Sequence, residues 1–162
     1  MKCLYIKSIP FGKNAAGGGI THTIGLIQGF LDADTDITII TSCPFDIDND
    51  KTVCLNVPYK KNSLPFIRDY LFFRAYKKAL VQWLKNNDQK YDFVYCRNRG
   101  FSDLPLVASK IKKSYMILEV NDIVHKTVWD LVLYPNMKKH SKIVAPLFYF
   151  SNFILEHLIK RQ

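Results

Sequence analysis

The sequence predicts an α/β fold: a doubly wound, mainly parallel sheet with helices on both faces. Three observations lead there. Short β-rich apolar runs, such as DITIITS at residues 36–42, alternate with longer stretches of helical period. Most of the strands are separated by a helix, and such connections join parallel neighbours by right-handed crossovers. No internal repeat, low-complexity tract or linker interrupts the 162 residues, a length suited to one domain.

The elements follow in order. Residues 2–9 open with a β-rich run that Lys7 interrupts, and residues 10–19 form a loop dense in glycine and small residues. Ile20, Ile24, Ile27 and Leu31 then recur at helical spacing over residues 20–31. Residues 36–42 are a strand ended by Cys43 and Pro44, and residues 52–57 are a weaker one stopped by Pro58. A long helix starts near Ser63 or Leu64, tolerates Pro65 in its first turn and runs to about residue 87. Residues 91–96 are the next strand. Ser102 and Asp103 cap a helix that carries Pro105 in its first turn and reaches about Lys113. Residues 114–120 are the following strand, and residues 122–162 read as mostly helical with a break at Tyr134, Pro135 and Asn136.

Composition narrows the function classes. The chain is 48% hydrophobic and 14% aromatic, enough to bury a core rather than remain disordered. Its 23 Lys and Arg against 14 Asp and Glu leave a net charge of +9, which favours phosphates, nucleic acid or an acidic membrane surface. Nothing resembles a recognition helix or an aromatic RNA-binding strand, so nucleic acid is not an expected partner. Cys3, Cys43, Cys54 and Cys96 form no CxxC pair, which suits reduced structural thiols and no metal site. No secretory h-region follows Met1, and no apolar run approaches the roughly 18 residues that cross a bilayer. The expectation is a cytoplasmic protein, at most peripheral at the inner face of the membrane.

In a doubly wound sheet, ligands bind at the carboxyl ends of strands where the strand order reverses. The loop at residues 10–19 is the first such place, and Gly17, Gly18 and Gly19 allow close backbone approach at a helix N-terminus. It fits neither the Walker pattern, which needs Lys-Ser/Thr where Gly18 and Gly19 stand, nor GxGxxG. The glycines therefore either line an anion site or simply turn and cap the helix. His22 either touches the same ligand or packs locally. Arg97 and Arg99 follow the fourth predicted strand, while Glu119 sits in the fifth with Asn121 and Asp122 after it. Glu119 lies between Leu118 and Val120 and needs a partner, for which Arg97 is suited, as a structural ion pair or as part of a site. His125 is a candidate to accept a proton from a substrate hydroxyl.

The basic residues gather in two places. On the long helix, Ile67, Tyr70, Leu71, Phe73, Leu80 and Leu84 suit a core side, with Arg74, Lys77, Lys78 and Lys85 opposite. That side is either a solvated face or, over residues 65–87, a contact with an anionic membrane surface. Lys138, Lys139, His140 and Lys142 form a second patch before the aromatic run PLFYFSNFILEHL. The chain ends in EHLIKRQ without an evident closing element, and so reads as cut short.

Taken together, the segments CLYIKSIPFGKNAAGGGITHTIGLIQGF, YDFVYCRNRGFSDLPLVAS and SYMILEVNDIVHK, in this order and spacing, resemble the N-terminal domain of a GT-B glycosyltransferase, notably retaining family four. The resemblance implies a Rossmann-like acceptor-side domain whose partner, a C-terminal nucleotide-sugar-binding domain, is missing from this chain. It implies transfer of a sugar from a nucleoside diphosphate sugar, the co-substrate of the full-length enzyme, to a glycan or lipid-linked acceptor. Cell-surface polysaccharide synthesis is the expected setting. No cofactor or metal is implied. Gly17, Gly18 and Gly19 would face the donor diphosphate. His22, Arg97, Arg99, Glu119, Asn121 and Asp122 would border the acceptor, with His125 near the reacting sugar. The same residues also suit a non-catalytic module that docks on a partner protein or an anionic membrane surface.

Overall fold

The computed structural model describes residues 1–7, 18–42, 47, 50–59, 65–97 and 102–119. Five strands and three helices alternate along them: β1 (Lys2–Ile6), α1 (Gly18–Asp32), β2 (Asp36–Thr41), β3 (Thr52–Cys54), α2 (Pro65–Asn86), β4 (Phe93–Arg97), α3 (Leu104–Lys112) and β5 (Tyr115–Glu119). All five strands are parallel and lie in the order β3-β2-β1-β4-β5. This is the doubly wound, Rossmann-like α/β fold. The predicted helices beyond residue 119 lie outside the described residues.

The central strands β1, β2 and β4 are buried on both sides because helices cover both faces there, whereas Tyr115 and Ile117 of β5 are exposed. Along β1, Cys3 and Tyr5 point to one face and Leu4 and Ile6 to the other. On the first face they join Ile37, Ile39 and Phe93 beneath Ile27 of α1. On the second, Leu4, Ile6, Ile40, Val94 and Cys96 meet Phe72, Tyr76, Leu80 and Leu84 of α2 and Leu104 and Ala108 of α3. Tyr76 does more than fill space. Its hydroxyl lies 3.1 Å from the carbonyl oxygens of both Lys7 and Ile40, and shares its proton between the carboxyl ends of β1 and β2.

Several local expectations change. On α1 the buried stripe runs through Thr23 and Ile27, whereas Ile24 is exposed. Thr23 can be buried because its hydroxyl bonds Tyr5. On α2 the inward ridge is Phe72, Tyr76, Leu80 and Leu84 at four-residue spacing, which turns Tyr70 and Leu71, expected in the core, out to solvent. Lys77 is half-buried on that helix, and its ammonium lies 2.5 Å from the Asp103 carboxylate. Asp103 is the N-cap residue of α3 but makes no side-chain cap, that carboxylate being drawn to Lys77 instead.

β3 is shorter than its apolar run because Asn56 takes a left-handed conformation (φ 50°). The chain still follows β2, with the Leu55 and Val57 amides bonded to the Thr41 and Ser42 carbonyls. Cys3 and Cys96 are buried free thiols, and Cys54 is half-buried. Cys43 lies outside the described residues. Among the described residues no helix is long and apolar enough to cross a membrane.

Candidate functional site

The strand order places the reversal at β1 and β4. From β1 the chain crosses to β2 on one side, and after β3 it returns to β4 on the other. In doubly wound sheets, ligands bind outside the carboxyl ends of the strands at such a reversal. Gly18 and Gly19 are the first two residues of α1, at this same edge. His22 stands in the second turn of that helix.

Glu119 is the organising residue. It ends β5 directly opposite Arg97, which ends β4, so their side chains rise on one face of neighbouring strands. Oε1 of Glu119 lies 2.9 Å from Nε2 of His22 and 3.6 Å from Nε of Arg97. Oε2 accepts a hydrogen bond of 3.1 Å from the Tyr95 hydroxyl. The carboxylate and the guanidinium are largely covered, at 13% and 24% side-chain exposure, while His22 keeps 48% and faces solvent. A carboxylate this covered needs polar partners, and it has the Tyr95 hydroxyl, the His22 imidazole and the Arg97 guanidinium around it.

An aromatic wall fixes those donors. The Tyr95 ring stacks on Tyr5 at 5.8 Å and meets the edge of Phe30 from α1 at 5.6 Å. Burial, then the Glu119 charge, raises the Tyr95 phenol well above its ordinary value, so it remains a donor. Tyr5 behind it is pushed up to about 12, chiefly by burial. With its Nε2 beside Glu119, the His22 imidazole keeps 48% of its side chain exposed at this edge. The site therefore offers a solvent-facing imidazole and a guanidinium, both oriented by one carboxylate. Such a set matches the alternating donors and acceptors of a polyhydroxylated ligand.

Of the residues the sequence singles out, the structure brings His22, Arg97 and Glu119 together and sets Gly18 and Gly19 at the same edge. Gly17, Arg99, Asn121, Asp122 and His125 lie outside the described residues. Sequence reasoning missed Tyr95, Tyr5 and Lys7. Tyr95 stands two residues before Arg97 and so on the same face of β4, a signal available once the strand is assigned. Lys7, the residue that breaks the first apolar run, is 2% exposed just past β1; its amide bonds the Ile40 carbonyl and its own carbonyl takes the Tyr76 hydroxyl. At the opposite, amino edge of the sheet a cavity of about 300 Å³ lies between the C-termini of α2 and α3, lined by Leu84, Asn87, Lys90, Ile111 and Lys112. There the Lys112 ammonium donates to the Asn87 carbonyl, which occupies the helix end rather than leaving it open. Among the described residues no group of His, Cys, Asp and Glu could hold a metal ion.

No family model and no curated protein matches this chain. Among solved structures, a crystal structure of the C-terminal domain of a hydrogenase from Pyrococcus furiosus is similar at 12% identity and a TM-score of 0.49, covering 74% of this chain and 91% of that one. A second structure of the same domain is similar at 14% identity and a TM-score of 0.48, covering 73% and 90%.

Proposed function

We propose that this domain is the acceptor-binding half of a glycosyltransferase, which transfers a sugar from a nucleoside diphosphate sugar to a glycan or lipid-linked acceptor. The observation that carries this reading is the Glu119 carboxylate at the carboxyl edge of the sheet, holding His22, Arg97 and Tyr95 around it. Sugar hydroxyls are both donors and acceptors. A pinned carboxylate, a fixed guanidinium and a half-exposed imidazole give each hydroxyl a complementary partner without new ordering.

Each residue has a task in this reading. Arg97 and Glu119 orient the acceptor, His22 receives a hydrogen bond from its hydroxyl, and Tyr95 keeps Glu119 in place. Gly18 and Gly19 at the start of α1 leave backbone amides available to the donor's diphosphate. Gly17, Arg99, Asn121, Asp122 and His125 belong to the same proposal through the resemblance alone. Holding the acceptor in one orientation is what such a half contributes to rate.

Saturation-transfer NMR of the full chain with methyl glycosides of glucose, galactose, mannose and N-acetylglucosamine tests the reading. At least one glycoside is expected to receive magnetisation, and Glu119→Gln is expected to weaken that signal about tenfold or more, the value of roughly one charge-assisted hydrogen bond. No transfer to any glycoside, or transfer unchanged in Glu119→Gln, overturns it.

A further inference from the structure

The outward face of α2 combines features that its inward face does not need. Its buried ridge is Phe72, Tyr76, Leu80 and Leu84. Opposite that ridge stand Leu71, Arg74, Lys78 and Lys85, all exposed, with Leu71 at 49% and its neighbour Tyr70 at 54%. From residue 70 to residue 86 the helix has no Asp or Glu. A helix face that is merely solvated usually intersperses both signs, which pair at i, i+4. Here three cations run along one line and end at two exposed apolar side chains.

The placement of the apolar pair adds direction. Tyr76 bonds the carboxyl ends of β1 and β2. Tyr70 lies six residues before it, which at the helical rise is about 9 Å further toward that edge. Tyr70 and Leu71 are therefore at the same edge of the sheet as the Glu119 cluster, and the cations trail behind them.

We infer that the outward face of α2 is a docking surface for an anionic lipid bilayer, with Leu71 and Tyr70 entering the headgroup region and Arg74, Lys78 and Lys85 meeting lipid phosphates. Charge complementarity selects this occupant: every charged residue of the helix from 70 to 86 is a cation, on a chain of net charge +9. Lysine and arginine stems lie along an apolar boundary while their charged ends reach the phosphates. Nucleic acid would use the cations but gives an exposed leucine no partner, whereas a bilayer uses both. This surface does not depend on the reading of the Glu119 cluster.

The test is sedimentation of the full chain with phosphatidylcholine vesicles, with and without phosphatidylglycerol, at physiological ionic strength. Binding is expected only when phosphatidylglycerol is present. The triple variant R74Q/K78Q/K85Q should lower partitioning on the order of 100-fold, since each cation near such a surface is worth about 1 kcal/mol. Leu71→Ser should lower it by roughly tenfold, the value of a partly buried leucine side chain. All four positions are exposed, so an unchanged circular dichroism spectrum and urea midpoint will show that the variants fold. Equal sedimentation with both vesicle types, or a triple variant that binds like the parent, overturns the inference. So does oligouridylate binding that Leu71→Ser leaves intact without any vesicle binding, which would mark a nucleic-acid surface. A concentration-dependent dimer that Leu71→Ser abolishes, again without vesicle binding, would assign the face to a second copy of the chain and overturn it equally.

Discussion

Nε2 of His22 lies 2.9 Å from Oε1 of Glu119, which ties the second turn of α1 to the last residue of β5. The contact joins α1 to β5 across the reversal of strand order at β1 and β4. Removing the carboxylate leaves the largely covered Arg97 guanidinium and the Tyr95 hydroxyl short of a partner. Glu119→Gln should therefore lower stability by about 2 kcal/mol in urea unfolding. Because His22 is half exposed, solvent weakens its share, and a double-mutant cycle of Glu119→Gln with His22→Gln should give a coupling of only about 0.5 kcal/mol.

Tyr76 separates packing from hydrogen bonding on the other face. Tyr76→Phe keeps the ring and removes only the hydroxyl shared by the Lys7 and Ile40 carbonyls, at a cost of about 1–2 kcal/mol. Leu80→Ala, one turn further along the same buried ridge, opens a cavity and should cost about 2–5 kcal/mol. Equilibrium unfolding of both variants checks the order.

Much of the fold was legible because strand runs and helical periods are separated by turn residues, as between Leu31 and Ile37. The α2 face was not. Periodicity admits Leu71 and Phe72 as neighbouring choices for an apolar stripe, and only packing against Leu4, Ile6 and Val94 selects Phe72. At the site, Arg97 and Glu119 could be paired from sequence because each ends a strand in adjacent order. The His22 contact could not, since it depends on how α1 lies across the sheet, and that is set by Ile27 and Phe30 against Phe93 and Tyr95.

Cysteine reactivity should follow burial. The Cys3 thiol is fully covered and pushed up to about 12 by burial, so it stays protonated and unreactive near neutral pH. Cys96 is covered as well, whereas Cys54 is half exposed beside Asn56. Mass spectrometry after brief treatment with a maleimide should find Cys54 modified well before Cys3 and Cys96. Denaturant should abolish the difference.

Alkaline pH should weaken the fold through Tyr5. Its folded value is raised to about 12, against about 10 in the unfolded chain. The group is neutral in both states below pH ~10, where its stabilisation is fully present. Above that the unfolded chain releases its proton first, so stability falls from about pH 10 as the pH rises toward the folded value. Tyr5→Phe should lessen this decline in thermal melts at alkaline pH.

The reading of the carboxyl edge as a sugar-binding site is tested most directly by amide chemical-shift mapping. Isotope-labelled full chain would be titrated with the methyl glycoside that gives the largest saturation transfer. The account predicts that the shifted amides cluster at His22 and Thr23 of α1, Tyr95 and Arg97 of β4 and Ile117 and Glu119 of β5. It also predicts that Glu119→Gln abolishes those shifts. Shifts confined to the amino edge, around Asn87, Lys90 and Lys112, or no shifts at any concentration, would contradict it.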